Sequence, residues 1–191
     1  EQNVWREIAP KGKFNFSVVF ARGDFLDTGI VSKLKGFTPD LVIGNPPYGI
    51  SVQKNVAERF ELGSNDSYGC FVVQGLRMLA RNGILSMVLS STFLTTRTHR
   101  GLRSQIFAEA LVRKVLALHR NAFPRDVFCC LFEAIKVSEA GREAQGHSYK
   151  YIDMWPIHPS EQAYKIGLSS YYDVDVQLPS NLFKIYLVPN L

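Results

Sequence analysis

The tetrapeptide Asn45-Pro46-Pro47-Tyr48 combines residue types that can bind a planar amine. The asparagine side chain and the backbone carbonyls are hydrogen-bond acceptors, and the tyrosine adds an aromatic face. Each proline fixes its own φ and restricts the residue before it, so these acceptors keep one geometry. The tetrapeptide therefore predicts a preorganised socket for an amine, although an ordinary turn at the end of a strand can have the same composition.

Strands and helices alternate around this socket. The apolar run at residues 41–44 predicts a buried strand, and similar runs predict strands at residues 16–20, 84–89, 115–118 and 127–135. Helical spacing predicts helices near residues 67–80, with Asp66 as N-cap, and 102–111. This alternation predicts an α/β fold with a largely parallel sheet and helices on both faces. Ligands bind beyond the carboxyl ends of such strands, and the tetrapeptide lies at one.

Polar segments interrupt this pattern. Residues 49–65 lack periodicity and predict a long loop, which could close over a substrate at the tetrapeptide. Residues 90–96 predict a second polar loop. Residues 138–148 are rich in Ser, Glu, Gly, Arg and Gln. They predict a linker between a domain at residues 1–137 and the start of a C-terminal region at residues 149–191.

Positive charge is concentrated in one stretch of the chain. The 191 residues include 22 Lys and Arg against 17 Asp and Glu, a net charge of +5, in a composition typical of globular proteins. Residues 97–125 contain a single acid, Glu109. This stretch permits contact with a polyanion and is equally typical of a solvated helix face. Its seven basic residues are Arg97, Arg100, Arg103, Arg113, Lys114, Arg120 and Arg125.

The three cysteines show no metal-type spacing, and their odd number argues against a disulfide framework. The four histidines pair with neither cysteine nor carboxylate at a metal spacing, so we predict no metal site and expect His99 and His119 on the surface or in loops. No apolar run approaches the roughly 20 residues that span a bilayer. These features predict a cytoplasmic protein.

Four segments, in order, resemble the amino-methyltransferases of restriction-modification systems that methylate the exocyclic amine of adenine in DNA. They are Arg22-Gly-Asp-Phe-Leu26, Pro39-Asp-Leu-Val-Ile-Gly-Asn-Pro-Pro-Tyr48, Gly83-Ile-Leu-Ser-Met-Val-Leu89 with Phe93-Leu94, and Asn121-Ala-Phe-Pro124 before Val127-Phe-Cys-Cys-Leu131. Their order resembles the γ-type arrangement, in which cofactor motifs precede the tetrapeptide and a target-recognition domain follows. The resemblance covers residues 16–137. It implies a partial Rossmann-like sheet of an S-adenosylmethionine-dependent methyltransferase.

The resemblance also implies roles for the matching residues. Asp24 and Phe25 would bind S-adenosylmethionine, with Asp24 accepting a hydrogen bond from the adenine amine of the cofactor. The Asn45 side chain and the Pro46 carbonyl would accept hydrogen bonds from the target amine, while Tyr48 would pack on the target ring.

Further implied roles concern the DNA. An amine inside a duplex is out of reach, so the target base must be extruded, and Pro47 and Phe123 would help to bind it. DNA phosphates, which position a nucleic acid without reading it, would be bound by Arg97, Arg100, Arg103 and Arg125. Without the resemblance, Phe123 is also typical of a core aromatic, and Asp24 of a turn after Gly23.

One part of the family pattern is missing from the sequence. Members of the family carry, before the position of Asp24, a glycine-rich cofactor loop and an acidic residue for the ribose hydroxyls. Residues 1–15 contain one glycine, Gly12, between two lysines. Without the strands of that region the sheet would have a gap with exposed apolar edges. We therefore expect the missing N-terminal half of the domain to come from a larger polypeptide or a partner subunit.

Other functions fit some of the same residues. Methyltransferases acting on RNA adenine or on protein glutamine use a similar tetrapeptide. The long loop after it, the Phe123-Pro124 element and the basic stretch disfavour glutamine as the acceptor. A non-catalytic nucleic-acid-binding or assembly module fits the missing glycine-rich loop, whereas the intact tetrapeptide disfavours it.

Overall fold

The computed structural model of the chain describes residues 7–8, 18–19, 23–27, 29, 37–119, 122–123, 127–138, 148–153 and 171–175. The chain divides into two compact units, Glu1–Phe37 and Thr38–Leu191. In the first unit, strand β1 (Glu7–Ile8) pairs antiparallel with β2 (Val18–Val19). β2 lies inside the strand predicted at residues 16–20.

The second unit contains a six-stranded sheet with the spatial order β3-β4-β6-β5-β7-β8. The predicted strand at residues 41–44 forms, but the expectation that it is buried is wrong, because β3 lies at the edge of the described sheet and the side chains of Leu41 and Ile43 are exposed. The strand predicted at residues 84–89 extends by one residue. β5 begins at Ala110, before the start predicted at residue 115. Residues 110 and 111, predicted as the end of the preceding helix, belong to this strand. Along the chain the strands are β3 (Leu41–Gly44), β4 (Ile84–Ser90), β5 (Ala110–Ala117), β6 (Cys129–Lys136), β7 (Ser148–Asp153) and β8 (Tyr171–Asp175).

The sheet is mixed, which corrects the expectation of a largely parallel one. β3 pairs parallel with β4, and β5 with β7. β6 is antiparallel to both of its neighbours, and β8 is antiparallel to β7. A parallel return usually runs through an α-helix, and no described residue between Ala117 and Cys129 belongs to one. β6 therefore comes back in the opposite direction.

β7 and β8 continue the same sheet beyond β5. They fall within or next to the C-terminal region predicted from residue 149 onward. Their pairing ties residues 148–153 and 171–175 to the sheet, while the domain boundaries at residues 137 and 149 stay predictions.

The helices described in the second unit are α1 (Lys54–Glu58), α2 (Ser67–Met78), α3 (Thr92–Thr95) and α4 (Arg100–Glu109), with a 3-10 turn at Arg97–His99. α2 confirms the first predicted helix. Asp66 occupies its N-cap position, but the side chain makes no capping hydrogen bond. α1 and α3 lie inside the two segments predicted as loops, because helices of one turn are too short for periodicity to reveal. Among these described helices, none has the length and apolar composition needed to cross a bilayer.

The core of the second unit lies where α2, α3 and α4 cover the sheet. Gly75 of α2 faces Leu85 and Met87 of β4, so helix and strand approach closely. Phe93 of α3 packs edge to face on Phe132 of β6, with ring centroids 5.5 Å apart. All these apolar side chains are buried. This packing holds β4, the strand that borders the tetrapeptide, against α2 and between its neighbours β3 and β6.

Leu62 is wedged between α2 and α4. Its side chain is buried and lies against Gly69 of α2, while its carbonyl oxygen faces Gly101 of α4. A Cβ atom at Gly101 would lie 2.1 Å from that oxygen. The absence of a side chain at Gly101 therefore allows the segment after α1 to dock on α4.

We predict that Gly101→Ala lowers the free energy of unfolding of the full-length protein by about 1–3 kcal/mol, because the clash is with backbone and no rotamer relieves it. Chemical denaturation measures the change. Ser104→Ala on the same helix is the control, with an expected change within about 0.5 kcal/mol. Equal stability of Gly101→Ala and the parent protein would contradict the packing described.

Candidate active site

The tetrapeptide lies at the carboxyl end of β3, as expected from the sequence. Gly44, the last residue of β3, is in register with Met87 of β4, and Asn45 follows directly. Asn45 and Pro47 are exposed, whereas Pro46 is buried and Tyr48 is half-buried. The exposed asparagine therefore projects from a rigid base at the edge of the sheet.

Tyr48 connects this exposed asparagine to the sheet. Its hydroxyl lies within hydrogen-bonding distance of Asn45 Oδ1 and 2.9 Å from the carbonyl oxygen of Val88 on β4. Its ring packs edge to face on Tyr68 of α2, with centroids 6.2 Å apart. Burial raises the pKa of Tyr48 well above its usual value, and Cys129 adds to the shift. The phenol is therefore neutral and keeps its proton to donate.

Ser67 holds the other side of the tetrapeptide. Its Oγ donates to the Pro47 carbonyl oxygen at 2.9 Å, and its amide donates to the Ile50 carbonyl oxygen at 2.8 Å. A bridge between Ser51 and Asp66 closes the base of the segment that contains α1. Sequence reasoning missed Ser67, because its position at the start of α2, far from the tetrapeptide along the chain, gives no indication of this contact.

A buried polar group lies behind Tyr68. His99, expected on the surface or in a loop, is 8% exposed, and its ring centroid is 5.1 Å from that of Tyr68. This correction follows from the packing of the 3-10 turn on α2, which encloses the imidazole. Burial lowers the pKa of His99, and Arg103 acts in the same direction, while Asp66 opposes the shift. Burial also raises the pKa of Asp66.

The arginines predicted to bind phosphates differ in exposure. Arg97 and Arg100 are exposed where the 3-10 turn meets α4. Arg103 is 3% exposed, and its guanidinium donates to the carbonyl oxygens of Phe93 at 2.5 Å and Thr96 at 2.8 Å. The prediction for Arg103 is therefore wrong, because this arginine faces inward and stabilises the turn after α3. Arg125 lies outside the described residues.

Asp24 and Phe25 belong to the first unit. Asp24 is exposed; its Oδ1 accepts from the Leu26 amide at 2.9 Å and its carbonyl oxygen accepts from the Asp27 amide at 3.1 Å. This turn leaves further lone pairs on the carboxylate, so the residue fits a donor such as the adenine amine of S-adenosylmethionine. Phe25 is half-buried, as is Phe123 in the second unit. The binding roles of these three residues stay predictions.

The inward arginine leads to a stability prediction. Arg103→Ala should lower the free energy of unfolding by about 2–4 kcal/mol, since each hydrogen bond to a charged group contributes roughly 1.5–3 kcal/mol. Arg100→Ala, on the exposed side of the same helix, should change it by less than about 0.5 kcal/mol. Denaturant titration of both variants tests the difference. Equal stabilities would mean that Arg103 is not held as described.

Known proteins resemble this chain in sequence and in fold. A family model described as Eco57I restriction-modification methylase matches residues 8–123. A Methanocaldococcus jannaschii protein named as a putative type II restriction enzyme and methyltransferase is 31% identical over 106 residues. That match covers 54% of this chain and 8% of the relative, so the chain spans only a small part of that protein.

Two solved structures show the shared fold. A protein of Listeria monocytogenes, described as a putative class I S-adenosylmethionine-dependent methyltransferase, matches with a TM-score of 0.53 and 18% identity over 67% of this chain and 41% of its own. The type ISP restriction-modification enzyme LlaGI, solved in complex with a DNA substrate mimic, matches with a TM-score of 0.56 and 13% identity over 76% of this chain and 18% of its own. The predicted partial Rossmann-like methyltransferase sheet is confirmed.

Proposed function

The chain belongs to the Eco57I restriction-modification methylase family, and we propose that it carries the amine-binding part of an S-adenosylmethionine-dependent methyltransferase that modifies the exocyclic amine of adenine in DNA. The observation that carries the proposal is the geometry of the tetrapeptide. Asn45 is exposed at the carboxyl end of β3, and Tyr48 and Ser67 hold the backbone on either side of Pro47. Membership in a family of methylases, together with an intact tetrapeptide that can bind an amine, is best explained by methylation of an amine.

The socket would act by accepting hydrogen bonds. An amine conjugated to an aromatic ring is a poor nucleophile, because its lone pair is delocalised into the ring. When its two hydrogens are held by the Asn45 side-chain oxygen and the Pro46 carbonyl, electron density returns to the nitrogen and the lone pair points out of the ring plane. Acceptors fixed before the reaction need no reorganisation when charge develops, which is the condition for electrostatic catalysis.

S-adenosylmethionine, when bound, supplies an electrophilic methyl group. Asp24 would accept a hydrogen bond from the cofactor adenine, and Phe25 would contact the same ring. Binding both reactants in one orientation adds the advantage of proximity. Since the chain spans a small share of its relatives, we propose that the remaining cofactor contacts come from a longer polypeptide or a partner subunit.

Access to the amine requires that the target base leave the duplex. Extrusion costs a few kcal/mol, and stacking on an aromatic side chain returns roughly 1–3 kcal/mol per base. Tyr48 and Phe123 would provide the aromatic surfaces, and Pro47, which precedes Tyr48, is exposed. The half-buried position of both rings suits this role, because such rings are held by the fold and still present part of their surface.

We infer that the exposed arginines Arg97 and Arg100 bind the DNA backbone. β4 ends at Ser90, beside the tetrapeptide, and the chain passes through α3 and the 3-10 turn to the start of α4. Arg97 and Arg100 lie on either side of His99 in sequence, the His99 ring contacts Tyr68, and the Tyr68 ring contacts Tyr48 of the tetrapeptide. The net charge of +5 and the DNA complex of the structural relative LlaGI support a polyanionic partner.

Methyl transfer by the full-length protein tests the role of Asn45. With labelled S-adenosylmethionine and DNA, we expect Asn45→Ala to lower transfer about 100-fold or more, the size of effect seen when one preorganised hydrogen-bonding group is removed from an active site. Asn82→Gly, in the exposed turn before β4, is the control and should keep the parent rate, since glycine tolerates the positive φ of 65° at this position. Methyl transfer by Asn45→Ala at the parent rate would refute the catalytic role of Asn45. Label found in RNA or protein instead of DNA would show that the methyl acceptor belongs to a different macromolecule.

Salt dependence tests the arginines. Arg97→Ala combined with Arg100→Ala should weaken DNA binding uniformly across sequences. It should also reduce the slope of log K against log salt by about 0.9 for each lost phosphate contact. Arg81→Ala is the control, since this exposed arginine precedes the start of β4, whereas Arg97 and Arg100 follow its carboxyl end. An unchanged slope in the double variant would show that Arg97 and Arg100 make no phosphate contacts.

A further inference from the structure

We propose that the ring of Phe128 inserts between the base pairs that flank the target and fills the gap left by the extruded base. The inference rests on the proposed function and deepens it, because it assigns a residue to the extrusion step. This role differs from that of Tyr48 and Phe123, whose half-buried rings suit the extruded base itself.

Phe128 lies at the same edge of the sheet as the tetrapeptide. β6 runs antiparallel to β4 and begins where β4 ends, with Cys129 in register with Ser90. Phe128 directly precedes Cys129, and its carbonyl oxygen accepts a hydrogen bond from the Ser91 amide at 2.7 Å. Because β3 is parallel to β4, Asn45 also lies beyond a carboxyl end at this edge.

A side-chain contact links this position to the candidate site. Burial raises the pKa of Tyr48, and Cys129 lies close enough to Tyr48 to add to the shift. The Tyr48 hydroxyl also bonds the carbonyl oxygen of Val88, two residues before the end of β4. Phe128 is therefore one residue away from a side chain that borders Tyr48. A nucleotide bound at Tyr48 would have its flanking bases within reach of Phe128.

The Phe128 side chain is exposed although it is large and apolar. Its exposed fraction is 52%, whereas Phe132, four residues further along, is buried. Ile50, two residues after Tyr48, is 56% exposed. Exposed apolar surface next to a site indicates an interaction surface. Such side chains suit the apolar faces of bases, whereas the phosphates are contacted by charged and polar groups.

The backbone that carries Phe128 is fixed on two sides. Its own carbonyl oxygen is held by Ser91, which follows β4, and the carbonyl oxygen of Cys129 accepts from the Leu118 amide at 2.9 Å, just after β5. Only side-chain torsions then remain to be fixed when DNA binds. A phenylalanine has few of these, so insertion costs little conformational entropy.

Extrusion of the target creates the gap that this ring would fill. The flanking base pairs lose their stacking on the target base, which is part of the cost of extrusion. Apolar side chains can insert between base steps, and an aromatic ring replaces part of the lost stacking. Phe128 would thereby raise the fraction of complexes in which the target occupies the socket.

The full-length protein at saturating DNA and S-adenosylmethionine provides the test. On a paired target adenine, we expect Phe128→Ala to lower the rate of methyl transfer about 10-fold, because fewer complexes hold the base in the socket. The fluorescence of 2-aminopurine at the target position, which increases when the base leaves the stack, should fall as well. Phe128→Leu keeps an apolar side chain that can insert, so its rate should stay within about threefold of the parent rate.

A second duplex separates insertion from a purely structural role. When no base stands opposite the target adenine, extrusion costs less, and most complexes hold the base in the socket even without the ring. We therefore expect the rate of Phe128→Ala on this duplex to return to within about twofold of the parent rate. A structural defect would lower the rate on both duplexes by the same factor.

The outcomes distinguish this inference from the proposed function. If Asn45→Ala is inactive while Phe128→Ala matches the parent on the paired target, the function stands and insertion is refuted. An equal loss on both duplexes also refutes insertion. So does a lower denaturation midpoint of Phe128→Ala without DNA, which would mean that the ring packs on another part of the polypeptide. If Asn45→Ala keeps the parent rate, the proposed function fails, and insertion fails with it.

Discussion

The register between β3 and β4 is the constraint on which the candidate site depends. Gly44 lies opposite Met87, so Asn45 begins just beyond the paired residues and Tyr48 turns back to bond Val88 on the neighbouring strand. A slip of one residue would move every side chain of β3 to the other face of the sheet. It would also carry Asn45 away from its anchor. The chemistry of the tetrapeptide is therefore set by backbone pairing outside it, and Ser67 adds a second fixed point from α2.

Local patterns predicted the parts of this arrangement that depend on short stretches of chain. The apolar run before the tetrapeptide has the length of β3, and the spacing of α2 follows from its buried face. The end of α4 was harder to predict. Ala110 and Leu111 continue the helical spacing and also suit a strand, and neither glycine nor proline separates the two elements. Pairing with β6 decides the matter in favour of β5.

Features set by distant contacts could not be predicted in this way. Arg103 belongs to a basic stretch that reads as a solvated face, yet carbonyl groups at the end of α3 and before the 3-10 turn draw its guanidinium inward. The buried ring of His99 packs on the ring of Tyr68, a residue of α2 that is far from it along the chain. The same holds for the Val88 carbonyl, which no motif marks and which nevertheless anchors Tyr48. Charge and residue type identify candidate DNA-binding residues in the sequence. The exposure of each side chain in the structure then decides which of them can reach DNA.

The position of β6 has a consequence for how the chain assembles during synthesis. β6 lies between β4 and β5 in the sheet, although it follows both along the chain. The pair β3 and β4 is synthesised first, but β4 and β5 become joined only when residues up to Lys136 have left the ribosome. Until then both strands present edges that can recruit strands of other chains. The edge of β4 that faces away from β3 and the tetrapeptide thus depends on a later segment for its protection, and chains arrested before β6 would be the ones most prone to aggregate.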